Sequence, residues 1–245
     1  MFRLTSRMVG ARSFRMVADT QNGSVMVPKK SARMAPVKEA APVGAVAIDI
    51  PPLDIRRFTL KIVGDSPLIC HAWSMKARAM ILDKHMKKAK GARDAKDPVA
   101  DFLDSLYWIS KRPAKNTLAA IKGARFGFPT RALKAAAVSS ASFIKDMTKV
   151  EGRGAFHIDG ELVEIRGTPH MREDMVRLPM NGVDVRFRGE FLKWSMEFVV
   201  RYNAALSPEQ IVNLFNVAGF SVGIGEDRPQ RSGSHGMFHV ATDGE

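Results

Sequence analysis

Residues 183–203, VDVRFRGEFLKWSMEFVVRYN, set the architecture. Val183, Val185 and Phe187 alternate with Asp184, Arg186 and Arg188. Trp194, Met196, Phe198, Val200 and Tyr202 then alternate with Lys193, Ser195, Glu197 and Arg201. A period of two is strand spacing, so the segment predicts two half-buried antiparallel strands with basic residues on one face. Strands buried on both faces would instead read as continuous apolar runs. The alternation puts Trp194, Phe187 and Tyr202 opposite the arginines, in the core. Arg186, Arg188 and Arg201 are left at exposed positions, where they can contact phosphates.

Downstream, Ser207-Pro208-Glu209-Gln210 supplies an N-cap, a proline at the first helical position and a capping-box glutamine. A helix with Ile211, Leu214, Phe215 and Ala218 inward is predicted to stop at Gly219. A short strand, a glycine-rich loop and a last strand follow in FSVGIGEDRPQRSGSHGMFHV.

Upstream, Phe58, Leu60 and Ile62 alternate with Arg57, Thr59 and Lys61, predicting a strand over 56–63 that Gly64-Asp65-Ser66-Pro67 ends. The run LICHAW reads as an apolar loop in which Cys70 is a buried structural thiol. Ser74 can cap a helix to about Lys90, with Met75, Ala79, Leu82, Met86 and Ala89 at helical spacing. Asp97-Pro98 opens a second helix with Phe102, Leu103, Leu106 and Tyr107 as its stripe. Residues 111–128 read as a connection, and 130–145 as a helix of small residues able to lie close to a sheet. GAFHI and ELVEI flank Asp159-Gly160, a favourable hairpin turn, and the polar segment RGTPHMREDMVR follows.

Collapsed to its order, the chain reads β-α-β-β-α-β. That is the ferredoxin-like (RRM-like) α+β unit, with a helical insertion over about 74–128, a β-hairpin and a glycine-rich C-terminal loop. Residues 1–52 lack sustained periodicity and read as an extended basic arm, with eight Lys or Arg against three acids. The domain proper is expected over 53–245.

The chain has 245 residues and a formal charge of +13, far from an ordinary soluble enzyme, which points to a polyanion. One cysteine excludes an internal disulfide and any cysteine-based zinc site. The six histidines show neither HExxH nor paired-cysteine spacing, so no metal or cofactor is expected. No run of about 18 apolar residues occurs, so no membrane span is predicted. The arginine-rich, acid-free first residues look like a mitochondrial targeting peptide or equally a flexible basic arm, and the cytoplasm is the default location.

In the closing loop, Gly223, Gly225, Gly233, His235 and Gly236 surround Arg228 and Arg231. This joins backbone that can approach a ligand with side chains that prefer anions. It lacks the GK[ST] ending of a P-loop and leads into no helix. A phosphate or single-strand clamp and a plain hairpin loop both remain open. Lys84, Lys87 and Lys88 on the first helix form either a solvated face or a track along a nucleic-acid backbone.

With Gly223-Ile224-Gly225 and Gly233-Ser234-His235-Gly236-Met237-Phe238 before the last strand, residues 219–240 resemble the glycine-rich loop of the RAMP superfamily of CRISPR-associated RNA-binding proteins. The helical insertion and the 154–166 hairpin are similar in placement to the helical and thumb elements of its guide-lining subunits. The resemblance covers about 55–241 in topology, and it extends to a phage-encoded relative. It implies a non-enzymatic protein that binds single-stranded RNA or DNA and assembles with itself along the strand as an oligomer or filament.

Two other readings stand beside that one. A virion-type assembly protein would latch neighbours with its N-terminal arm. A RAMP-like RNA endonuclease would use Asp65 or His71, since the loop after the first strand is where some relatives keep a cleavage residue and a histidine can move the proton of a 2′-hydroxyl.

Overall fold

The computed structural model describes residues 52–88, 95–145, 147–177 and 182–242. Residues 1–51 of the expected arm, and Ala89 and Lys90 of the expected first helix, lie outside the described residues. In chain order the elements are β1 (Ile55–Gly64), β2 (Leu68–Cys70), α1 (Met75–His85), α2 (Pro98–Ser105), β3 (Tyr107–Trp108), β4 (Phe126–Pro129) and α3 (Thr130–Ser140). Then come α4 (Lys149–Ala155), β5 (Phe156–Ile158), β6 (Leu162–Arg166), β7 (Pro169–Arg177), β8 (Val183–Phe191), β9 (Ser195–Asn203), α5 (Pro208–Ser221) and β10 (Phe238–Val240).

The class is α+β. One sheet runs β10-β1-β9-β6-β4-β3, with β5 also on β9, and a second runs β2-β8-β7. Every pairing is antiparallel. β9 shows why its sequence makes a strand: Met196, Phe198, Val200 and Tyr202 are buried while Glu197 and Val199 face solvent. Leu60 and Ile62 of β1 share that inner face through their pairing with Phe198 and Met196. The buried side of α5 closes the core with Ile211, Leu214, Phe215 and Ala218. Fully burying side chains such as Phe156, Phe191, Phe215 and Phe238 contributes about 1.5–3 kcal/mol each before the cost of ordering them.

The α5 capping box forms as read, between Ser207 and Gln210. Small residues on α3 let it approach α5, and the buried Ser140 hydroxyl donates to Leu214 O at 3.1 Å. Ser74 caps α1 and Asp97 caps α2. Cys70 is buried, and burial pushes its thiol up to about 12, as befits a structural cysteine.

Several expectations are corrected. The apolar LICHAW run is a loop only in its second half: Leu68–Cys70 is a strand with all three residues buried, so it shows no alternation. The apolar positions of α1 do not form an inner face, because no residue of that helix is buried and Met75, Ala79, Leu82 and Met86 are exposed. The helix ends at His85, and Lys87 takes a left-handed φ of 54°. The 74–128 insertion is not wholly helical, since β3 and β4 extend the large sheet from within it. Here Gly127 and a proline disguise a strand whose Phe126 and Phe128 are buried.

The Asp159-Gly160 hairpin does not form either. β5 and β6 both run along β9, opposite Val200–Tyr202 and Ser195–Met196, and Gly160 at φ +84° allows the step between them. The polar segment is strand β7, the nine-residue partner of β8. Its pattern was invisible because it pairs through charge rather than through an apolar face. Gly219 does not stop α5, which continues to Ser221, and no strand follows before the loop.

Candidate nucleic-acid interface

The glycine-rich loop is packed against β2 and against itself. Its backbone donors are largely occupied: Ile224 N donates to Gly236 O (2.9 Å), Glu226 N to Ile69 O (3.1 Å), Gln230 N to Val222 O (3.1 Å) and Gly236 N to Pro67 O (2.8 Å). His235 N donates to Asp227 O and Gly233 N to Arg228 O. Gly225 is required because a Cβ there would meet Ile69 O at 2.5 Å, with φ at +79°. Gly223, Gly233 and Gly236 likewise stand against protein backbone or side chains of the loop. The close approach that these glycines permit is therefore to the protein itself. Arg228 turns inward, donating to Gly225 O at 3.0 Å and to Gln230. Arg231 stays exposed at the loop's tip.

Under the loop lies an ionic network that joins it to the small sheet. Arg172 and Arg188 face each other across β7 and β8. Like charges so placed repel. Asp174 resolves the conflict by accepting from Arg172 at 2.7 Å and Arg188 at 3.1 Å, while Glu190 accepts from Arg172 at 2.6 Å. His235 reaches Arg172 with one ring nitrogen and Asp227 with the other. The expectation that Arg188 is exposed is corrected: it is 9% exposed, because the strand's basic face is covered at that end.

His71, read without a partner in the sequence, is 3.0 Å from Glu226 Oε1, whereas Asp65 pairs with His239 at 2.6 Å. The structure thus gives the two candidate cleavage residues separate partners. The His71 hydrogen bond, reinforced by the charges of His71, Arg188 and Arg231 against some cost of burial, holds the Glu226 carboxyl down to about 2. A depressed carboxyl adds stability above its ordinary range near 4.5 and loses it as the pH falls toward about 2. Circular dichroism across an acid titration should find His71→Ala less stable than the parent at about pH 5, with the difference closing toward about pH 2. A gap that persists at the lowest pH would remove this assignment.

A second basic surface lies on the open face of the large sheet. Arg57, Arg201 and His157 stand directly opposite one another on β1, β9 and β5. Arg201 pairs with Asp159 at 2.5 Å, and Lys134 Nζ lies 3.1 Å from His157 Nδ1. Burial, then Lys134 and Arg201, push the His157 pKa down, and burial lowers that of Lys134. Arg57, Lys134 and His157 were missed as site residues, although the outward position of Arg57 was legible in the β1 alternation. Arg186 lies 3.5 Å from Asp184. On α1, Lys88 pairs with Asp83 at 2.7 Å, while Lys84 and Lys87 are exposed without an acidic partner among the described residues.

The aromatics of the long strands serve the core as read, with Trp194 and Tyr202 buried and Phe187 packed against the cluster. No group of three or more His, Cys, Asp or Glu placed to hold a metal exists among the described residues. No helix among them is long and apolar enough to cross a membrane.

No protein-family model matches the chain, and no curated protein matches it. Among solved structures, Cmr6 from Pyrococcus furiosus is similar at a TM-score of 0.38 and 10% identity, over 78% of this chain and all of that one.

Proposed function

We propose that this protein binds single-stranded nucleic acid, RNA or DNA, mainly through the phosphate backbone, on a ferredoxin-like core formed by β10-β1-β9 and β5/β6 with α3 and α5. The supporting observation is how its charge is distributed. Many of the domain's acids are spent locally: Asp54 on Arg56, Asp83 on Lys88, Asp104 on Arg112, Asp159 on Arg201, Glu164 on Arg125, Asp184 on Lys96 and Glu197 on Arg166. Arg57, Lys84, Lys87, Lys115, Lys122 and Arg131 stay exposed with no acidic partner among the described residues, and Arg231 is exposed near Glu226. Among the described residues positive charge is thus displayed rather than cancelled, which is what counterion release from a polyanion needs.

The side chains of α1 and of the open sheet face carry the contact in this reading, because the loop's backbone donors are turned inward. Glycines 223, 225, 233 and 236, with Arg228 and His235, then shape the loop that presents Arg231, while Arg201 adds to the open face, Arg186 adds positive charge on the small sheet and Arg188 lies in the ionic network under the loop. The RAMP-like features of residues 219–240 agree with a binding protein rather than an enzyme, one that assembles along the strand.

The test is binding of labelled single-stranded RNA, single-stranded DNA and duplex DNA across salt. Affinity for a single strand should fall about tenfold or more between about 50 and about 200 mM salt, and Arg57→Ala/Lys84→Ala/Lys87→Ala should flatten that dependence. Absence of binding at low salt would abandon the reading in favour of an assembly protein.

A further inference from the structure

A cavity of about 260 Å³ opens where the chain enters α1, walled by Trp73, Arg78, Tyr107, Trp108, Asp104 and Arg112 among others. Trp73 is 58% exposed, although an indole of its size ordinarily finds cover. It is held there by its neighbours: Ala72 N donates to Ser105 O at 2.8 Å, pinning the chain to α2, and Ser74 is the N-cap of α1. The Arg78 guanidinium lies 5.3 Å from the centre of the Trp73 ring.

The polar ends of the other two aromatics are already used. Trp108 Nε1 donates to Leu103 O at 2.8 Å and Tyr107 Oη to His71 O at 3.2 Å, which leaves their rings to line the cavity. Arg112 is paired with Asp104 and donates to Asn116 at 3.1 Å, yet its Nε is buried without a hydrogen-bond partner. A buried donor left unpaired calls for an explanation. Flat aromatic walls, an exposed indole backed by a cation, and an arginine–carboxylate pair offering both donor and acceptor match the π-face and polar edge of a heterocyclic base. The volume lies below the roughly 300–1,000 Å³ of drug-sized sites, so it suits one ring system rather than a dinucleotide.

We propose that this cavity receives one unstacked nucleobase of a bound single strand, stacked on Trp73, with Arg112 and Asp104 at its polar edge. The inference rests on the single-strand reading above and adds a base contact to it. Bound there, the base fixes the register of the strand on a surface that otherwise recognises only phosphates.

Two measurements test it in the full chain. At one salt concentration, a single-stranded oligonucleotide should bind on the order of tenfold tighter than an abasic strand of equal phosphate count; this advantage should vanish in Trp73→Ala and return in part in Trp73→Phe. Adenosine monophosphate should quench tryptophan fluorescence in the parent but not in Trp73→Ala, and ribose 5-phosphate should quench neither. An equal affinity for the two strands, or an advantage that survives Trp73→Ala, overturns the pocket while leaving phosphate binding intact. Quenching through Trp73 by the mononucleotide, with no strand bound at low salt, would instead uphold the pocket and overturn the strand-binding reading.

Discussion

Gly219→Ala should lower the melting temperature by about 10 °C, a loss of about 3 kcal/mol for a domain of this size. A Cβ at this position would sit 1.7 Å from the carbonyl oxygen of Phe238 and 2.6 Å from its carbonyl carbon. Both obstacles are backbone, so no rotamer change relieves them. β10 cannot move aside cheaply, because Val240 N donates to Asn216 on α5 at 2.7 Å and the strand is paired with Ile62, Val63 and Gly64 of β1. Either the helix shifts or the strand leaves the sheet. Gly154→Ala is the control: it lies in α4 with nothing within 4 Å of the added carbon, so it should leave the melting temperature unchanged or raise it. Equal melting of Gly219→Ala and the parent would mean that α5 and β10 do not touch at this point.

Asp174→Ala should cost a further few kcal/mol, about 3–5, measured by denaturant unfolding. The carboxylate serves two arginines whose side chains are 32% and 11% exposed, and its removal leaves Arg188 buried, with its Nε already unpartnered, facing Arg172 across the sheet. Coulomb repulsion then adds to an unpaid desolvation. Asp174→Asn, which retains one acceptor oxygen, should lose less. Replacing Asp174 and Arg188 together by leucine and methionine should recover much of the stability, since the cost of a broken buried pair is mostly the orphaned charge. If the double replacement is no more stable than Asp174→Ala, the orphaned-charge account is wrong.

The parts of the fold legible in the sequence were those that obey one local rule. β9 and β1 alternate strictly, and α5 and α2 carry caps whose chemistry is read from adjacent residues. What escaped was set by partners far along the chain. β2 is three residues with no period to read, and β7 is a charged strand whose reason for being extended is the arginines of β8. α1 had the spacing of a buried helix but none of the described residues buries it, so its apolar positions misled.

The site was legible in type and only partly in place. Positive charge and the loop glycines could be seen, yet the glycines turn out to serve contacts within the protein. Arg188 lies underneath the surface, while Arg57 and His157 meet Arg201 only through strand register and Lys134 reaches His157 from α3. Trp73 carried no signal beyond its place next to a capping serine.

The pairing of β1 has a consequence for how the protein is made. Phe58 lies opposite Val200, and Ile62 opposite Val240. During synthesis the apolar side of β1 therefore waits, unpaired, while nearly the whole domain emerges from the ribosome. At an elongation rate of about 5–20 residues per second, that wait lasts on the order of ten seconds or more. Contacts so distant in sequence also fold slowly. Leu60 and Ile62 are thus among the places where the nascent chain is open to misassociation, a vulnerability set by the order of the strands.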